Sequence, residues 1–141
     1  MRYDYPYELE PQPEGGYTVT FQDVPEAITQ GDTEDEAAAM AEDALVTALS
    51  FYTDRAEPLP RPSPAHGRPV AYLPALVAAK LALHDAMLAA GVSNVVLARQ
   101  LGTDKKTVRR PRDALHQSRI NQVDAALRML GKRMRIVIEA A

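Results

Sequence analysis

The sequence has no cysteine and no long apolar run. The absence of cysteine excludes disulfide bonds and thiolate metal sites. A membrane-spanning helix needs about 18 or more consecutive apolar residues, and no stretch of the chain provides them. The residues after Arg2 alternate between polar and aromatic, whereas a secretory signal needs a continuous apolar stretch. We therefore expect a cytoplasmic protein with no membrane partner.

The sequence also lacks the patterns that mark common enzymes and metal sites. No glycine-rich phosphate loop and no nucleophile motif occurs. The carboxylates available to hold Mg²⁺ for ribonuclease chemistry fall on predicted strands and turns without a defining spacing. They are Asp4, Asp23, Glu26 and Asp32. The histidines lie far apart and are expected at the surface. They are His66, His84 and His116. These absences favour a protein that is not an enzyme and has no metal or cofactor.

Charge is distributed unevenly along the chain, whose formal net charge is −3. Up to Pro64 there are three basic and fourteen acidic residues, a balance of −11. The remainder has thirteen basic and five acidic residues, a balance of +8. Basic side chains bind phosphate backbones by displacing condensed counterions, and an acidic surface attracts a basic partner. The split predicts two halves with different partners; the alternative is two solvated faces of one domain.

The first 57 residues predict a small antiparallel sheet with one helix. Alternating apolar residues favour one strand over 3–9 and a second over 17–21, with a short third strand near 27–30. Thr33 and Glu36 form a capping box, in which Glu36 is expected to reach back to the N–H of the cap residue. The helix that follows is expected to end at about Tyr52.

Six prolines between residues 58 and 74 predict an extended connection rather than a packed element, because proline lacks an N–H and fixes φ. Residues 70–73 are a candidate strand that would complete the N-terminal sheet. We therefore divide the chain into an N-terminal domain over 1–57, a proline-rich linker over 58–74 and a C-terminal domain over 75–141.

The C-terminal domain has the spacing of a helix-turn-helix. One helix is predicted over 75–90, a second from about Asn94 to Gly102, and a fourth over 121–130. Between the second and third helices, Gly102 permits the positive φ of a tight turn, and Ala98 is small where the helices approach. Apolar anchors complete the motif. They are Leu97, Leu101 and Val108.

The third helix of this domain is the predicted DNA-reading helix, whose N-terminal part enters the major groove. Its candidate DNA contacts are Thr103, Asp104, Lys105, Lys106, Thr107, Arg109 and Arg110. We expect the two arginines to read bases and the two lysines to contact phosphates. Pro111 predicts that this helix ends or kinks near Arg110. The alternative is an ordinary helical hairpin with a basic solvent face.

The tail of the chain is apolar and β-branched, which predicts a terminal β-strand. Its candidate dimerisation residues are Arg135, Ile136, Val137 and Ile138. A lone strand needs a partner, so we expect pairing with the same segment of a second chain in a homodimer or higher homo-oligomer. The alternative is that the tail packs back on its own helices. The expected fold class is α+β, with an N-terminal sheet and helix and an all-α helix-turn-helix domain.

Motifs spread over nearly the whole chain resemble the HicB family of antitoxins. They include Gly15-Gly16-Tyr17, Pro25-Glu26-Ala27, Gly31-Asp32-Thr33, Asp43-Ala44-Leu45 and Leu130-Gly131-Lys132. The resemblance implies a degraded ribonuclease H-like N-terminal domain that neutralises a HicA-type toxin, a small basic ribonuclease that cleaves mRNA. It also implies that the C-terminal domain represses its own operon by binding operator DNA.

Within the N-terminal domain, four acidic residues are candidate toxin contacts: Asp32, Glu34, Asp35 and Glu36. The alternative for them is a helix cap with no partner. Where similar proteins usually carry two apolar residues after the arginine of the DNA-reading helix, this chain has Pro111 and Arg112. A second interpretation of the whole chain is a stand-alone helix-turn-helix repressor with a ligand-sensing N-terminal domain. The two interpretations differ in whether the adjacent gene encodes a small basic protein.

Overall fold

The computed structural model of the chain describes residues 2–102 and 119–140. Within those ranges it has five strands and four helices, which confirms the α+β class. The elements, in order, are β1 Asp4–Pro6, β2 Glu8–Pro11, β3 Tyr17–Thr20, β4 Ile28–Gly31, α1 Glu34–Asp54, β5 Val70–Tyr72, α2 Ala75–Ala90, α3 Asn94–Leu101 and α4 Ile120–Met129.

Strands β2, β3 and β4 form an antiparallel sheet in that spatial order. The register places Val19 opposite Leu9 on one side and Thr29 on the other. Val19 is fully buried, because α1 packs across this face of the sheet. The second and third predicted strands are thereby confirmed, and the structure shows that they pair with each other in the antiparallel direction.

The first predicted strand is in fact two strands that belong to different sheets. Residues 4–6 pair with β5, whereas residues 8–11 pair with β3. Tyr7 lies between them and donates its N–H to the Pro69 carbonyl at 2.9 Å. Tyr3, Tyr5 and Tyr7 are all buried, as the alternation predicts. Side-chain alternation identifies the buried face of a strand, but it does not identify the neighbouring strand.

Helix α1 begins with the expected capping interaction and a small departure from it. The Thr33 hydroxyl accepts the N–H of Glu36 at 3.1 Å. The Glu36 carboxylate accepts the N–H of Asp32 at 3.1 Å, one residue before the one predicted. Both bonds satisfy backbone donors at the helix start.

The proline-rich stretch is extended but packed, so the expectation of an unpacked connection is wrong. Leu59 is buried in the N-terminal core, and the Tyr5 hydroxyl donates to the Pro60 carbonyl at 2.7 Å. The N–H and hydroxyl of Ser63 donate to the Asp23 carboxylate at 2.9 and 2.8 Å. Strand β5 then pairs with β1, which confirms the candidate strand. Proline removes backbone donors, but its carbonyls and neighbouring side chains can still pack and accept hydrogen bonds.

Arg68 fastens this stretch to the sheet. Its guanidinium donates to the side chains of Glu8 and Gln22 at 3.2 and 3.1 Å. It also donates to the Ser63 hydroxyl at 3.2 Å and to the Pro64 carbonyl at 2.8 Å. The Arg68 guanidinium therefore joins the proline-rich stretch to Glu8 of β2 and to Gln22, which follows β3.

Helix α2 contributes to two hydrophobic cores at once. Leu81 is fully buried in the core that contains the sheet and α1. Leu83 and Met87 lie in a second core, together with Leu97 of α3 and Val123 of α4. We call strands β1–β5, α1 and the part of α2 up to Leu81 the N-terminal unit. This unit is joined to α3 and α4 through the continuous helix α2 rather than through a flexible tether.

Polar contacts that the sequence pattern does not predict reinforce this connection. Asp85 of α2 accepts the Tyr3 hydroxyl at 2.8 Å and lies 3.6 Å from the Arg61 guanidinium. The Nε2 atom of His84 lies 2.7 Å from the Glu57 carbonyl oxygen, at hydrogen-bond distance. His84 is fully buried, so its predicted surface position is wrong, whereas His66 is exposed as expected. The remaining histidine, 116, is outside the described residues.

We predict that a fragment ending at Pro64 will not fold cooperatively. It lacks β5, the partner of β1, and Leu81, which is fully buried in the same core as the three tyrosines. A fragment ending at Gly91 keeps both and is expected to show a single thermal transition by circular dichroism. A cooperative transition in the shorter fragment would contradict the assignment of β5 and α2 to this unit.

We also predict that the folded chain loses stability above about pH 10, the usual tyrosine pKa. Burial, and then the hydrogen bond to Asp85, raise the pKa of Tyr3 well above that value. Burial likewise raises the pKa of Tyr5. Because the folded-state pKa exceeds the unfolded one, the stabilisation is complete below about pH 10 and is lost as pH rises further. Tyr3→Phe should flatten this alkaline decline in urea unfolding, whereas Tyr72→Phe, at an exposed position, should leave the slope unchanged.

Candidate partner-binding surfaces

The acidic residues predicted to contact a partner are exposed together around the start of α1. They are Asp32, Glu34, Asp35 and Glu36. The last three occupy the first helical turn, where the positive end of the helix dipole stabilises negative charge. Within 2–102 and 119–140, the carboxylates of Asp32, Glu34 and Asp35 have no hydrogen-bonding or ion-pair partner. Their charge is therefore directed to solvent.

Other carboxylates of the N-terminal unit have structural partners instead. Asp23 accepts both donors of Ser63, and Glu26 accepts the Tyr52 hydroxyl at 2.6 Å. This hydrogen bond lowers the pKa of Glu26 and raises the pKa of Tyr52 to about 12. No group of three or more metal-ligating side chains forms among the residues that the structure describes. The carboxylates of Asp23 and Glu26 are therefore engaged in hydrogen bonds within the N-terminal half of the chain.

The first helix of the predicted helix-turn-helix has the expected local structure. The Ser93 hydroxyl caps α3 by accepting the N–H of Val96 at 3.3 Å. Leu97 and Ala98 are buried in the second core, to which α2 and α4 also contribute. Gly102 ends the helix with φ +68°, in the left-handed conformation that glycine adopts without strain.

The predicted DNA contacts lie outside the described residues. They are Thr103, Asp104, Lys105, Lys106, Thr107, Arg109 and Arg110. The anchor Val108 and the helix-ending Pro111 are in the same stretch. Helix α4, which follows it, packs its buried residues against α2 and α3 and ends before Gly131, close to the predicted end.

The predicted dimerisation tail forms no strand in this single chain. Residues 132–140 have no regular secondary structure. Ile136, Val137 and Ile138 are 68%, 77% and 88% exposed, and Arg135 is exposed beside them. Met134 packs partly against the C-terminal core, but the residues after it do not fold back. A strand needs a hydrogen-bonding neighbour, and the described part of this chain offers none to the tail.

No helix within the described ranges is by itself long and apolar enough to cross a membrane. Helices α2 and α3 reach the required length only together, and they are bent by 102° relative to each other.

A family model for the HicB-like antitoxin of bacterial toxin–antitoxin systems matches residues 4–82 of this chain. The match begins at β1 and ends within α2, one residue after Leu81. The match therefore spans the N-terminal unit, which shares one hydrophobic core and includes the proline-rich stretch and β5. The match is longer than the predicted N-terminal domain.

Three curated relatives are similar over nearly their whole length. Antitoxin HicB of Escherichia coli K12 is 41% identical over 135 residues, covering 95% of this chain and 98% of the relative. Antitoxin HicB 1 of Photorhabdus laumondii is 41% identical, covering 96% and 86%. Antitoxin HicB of Pseudomonas fluorescens is 40% identical over 143 residues, covering 100% and 97%. From its fold, its acidic N-terminal surface and these similarities, the chain belongs to the HicB-like antitoxin family of bacterial toxin–antitoxin systems.

Proposed function

We propose that this chain binds and neutralises a HicA-type ribonuclease toxin and represses its own operon by binding operator DNA. The observation that carries the first part is the cluster of exposed carboxylates around the start of α1, on a half of the chain with a balance of −11. The names of the relatives support the antitoxin role. A ribonuclease binds the phosphates of RNA through lysine and arginine side chains. An acidic surface is electrostatically complementary to those side chains.

The carboxylates around the start of α1 are the proposed toxin contacts: Asp32, Glu34, Asp35 and Glu36. We expect Glu34→Gln combined with Asp35→Asn to weaken toxin binding, and more so at low salt, because exposed charges act over about 10 Å at 0.1 M ionic strength. A matched control is Asp54→Asn combined with Glu57→Gln, which removes two exposed charges at the other end of α1. Equal loss in both double variants would mean that the surface acts only through its total charge.

The test of the antitoxin role uses the small basic protein encoded beside this gene. Co-expression of the two, with an affinity tag on the toxin, should yield a complex that survives size-exclusion chromatography. A toxin that elutes alone, or an adjacent gene that encodes no such protein, would contradict the proposal.

For the DNA-binding part, the support is the +8 balance after Pro64 and the local structure of α3 and its glycine turn. We propose that Arg109 and Arg110 contact bases and that Lys105 and Lys106 contact phosphates. Thr103, Asp104 and Thr107 complete the proposed DNA surface.

A homodimer joined by the tail is part of the same proposal. Two linked helix-turn-helix units reading half-sites about one helical turn apart bind more tightly than one. The tail residues Ile136, Val137 and Ile138 are exposed and apolar, and pairing with a second copy would cover them.

We predict that deleting residues 134–141 gives monomers that still bind toxin but bind the operator without cooperativity. Multi-angle light scattering at micromolar concentration measures the first effect, and an operator titration measures the second. A truncated chain that remains dimeric would refute the tail as the joint.

A further inference from the structure

Strand β4 forms an edge of the three-stranded sheet. Its residues, Ile28 to Gly31, pair with β3 on one side. On the other side, none of them makes a backbone hydrogen bond to any described part of the chain. Ile28 is 65% exposed on this strand. An unpaired edge presents a row of backbone donors and acceptors that a further strand can use.

The opposite edge of the same sheet is protected, and β4 is not. Strand β2 carries Glu8 and Glu10, both exposed, and ends in Pro11, which has no N–H. Charged side chains and proline are the usual means by which proteins prevent pairing at an edge. The sequence of β4, Ile-Thr-Gln-Gly, contains neither. Both strands have four residues, so length does not account for the difference.

We propose that the free edge of β4 binds an extended segment of a basic protein, which adds to the sheet as a fourth strand. Main-chain hydrogen bonds supply affinity in this mode of binding, and flanking side chains supply specificity. The inference deepens the proposed function, since the partner it describes is the toxin.

The charges around β4 indicate the sign of the charge that the partner must carry. Four exposed carboxylates lie within five residues of the end of the strand: Asp32, Glu34, Asp35 and Glu36. Glu26, also exposed, precedes the strand. A second copy of this chain is a poor occupant, because an antiparallel pair of β4 strands would bring the carboxylates after one strand towards Glu26 of the other. Like charges at such a distance repel, whereas lysine and arginine of a basic segment would be attracted.

The carboxylates are held in place relative to the edge. Gly31, the last residue of β4, lies so close to α1 that an added Cβ would be 2.7 Å from the Cα of Ala37. The Glu36 carboxylate is bonded to the N–H of Asp32 at 3.1 Å. The edge and the acidic helix start therefore form one preorganised surface, which reduces the entropy lost on binding.

Amide hydrogen exchange of the full chain, with and without the small basic protein encoded beside its gene, locates the docking edge. Formation of a fourth strand should slow the outward-facing amides of residues 28–31 by about tenfold or more, while the amides of residues 8–10 of β2 remain unchanged. Binding that protects other segments and leaves 28–31 unaltered would overturn the inference while leaving the antitoxin role standing. An absence of any binding would overturn both.

Two charge variants separate the edge from general electrostatics. Ile28→Lys adds one positive charge on β4, and we expect it to weaken toxin binding about tenfold. Glu10→Lys changes the charge by two units on the protected edge, and we expect an effect of about twofold or less. Operator binding by both variants checks that each is folded. A larger effect from Glu10→Lys would overturn the inference.

Discussion

Replacing Arg109 and Arg110 by alanine is expected to lower the affinity for operator DNA by about a hundredfold or more. A good arginine contact to guanine contributes about 1–3 kcal/mol, and two of them together reach this loss. Fluorescence anisotropy with labelled operator duplex, at one fixed salt concentration, measures the change. Binding to unrelated duplex should weaken much less, because it depends on total positive charge.

A control for this experiment removes the same charge from the other half of the chain. Arg2 and Arg55 are exposed in the acidic N-terminal unit, and their replacement by alanine should leave operator affinity nearly unchanged. Wild-type operator affinity in the Arg109→Ala, Arg110→Ala variant would show that the DNA-reading helix has been assigned wrongly.

Gly31→Ala is expected to destabilise the folded chain by about 3 kcal/mol, the upper end of the usual cost of overpacking. The added methyl group would lie 2.7 Å from the Ala37 Cα and 2.9 Å from the Glu36 carbonyl carbon. Both are backbone atoms at the start of α1, so relief requires the helix to move away from β4. Urea unfolding followed by circular dichroism gives the free energy of unfolding.

Gly91→Ala is the comparison, because only the left-handed backbone conformation favours glycine at this position. Gly91 has φ +64° and has no atom within 4 Å of an added Cβ. Its replacement should cost about 1 kcal/mol from the left-handed conformation and no more. Similar losses at both positions would contradict the close approach of α1 to β4.

The local elements of this fold are largely predictable because their signals are local. The Thr33 cap, the Ser93 cap and the glycines at 91 and 102 fix helix ends through bonds within a few residues. The pairing of β2 with β3 follows from two alternating segments joined by a short glycine turn. In each case the interaction that decides the structure is encoded within a few positions.

The arrangement of those elements depends on contacts between distant residues, and the sequence did not predict it. The partner change at Tyr7 needs the Pro69 carbonyl, which is 62 positions away. The burial of Leu59 and the contact between Tyr3 and Asp85 depend equally on distant packing. A proline-rich composition describes backbone conformation, and it contains no information about which surface the segment covers.

The candidate binding surfaces also depend partly on local sequence signals and partly on contacts between distant residues. Charge counts and helix capping predicted an exposed acidic helix start, and the structure places those carboxylates at the surface. The free edge of β4 could not be identified before strand order was known, because an edge is a property of the sheet. The burial of His84 also depends on tertiary structure, namely on α2 lying between two cores.

The most direct test of the central claim is a ribonuclease assay with the toxin encoded beside this gene. The purified toxin alone should cleave a single-stranded mRNA fragment. Titration with the full chain should reduce cleavage in proportion to the amount added, and cleavage should stop near a one-to-one ratio of the two proteins. Cleavage that continues at the initial rate in the presence of excess chain would contradict the antitoxin function.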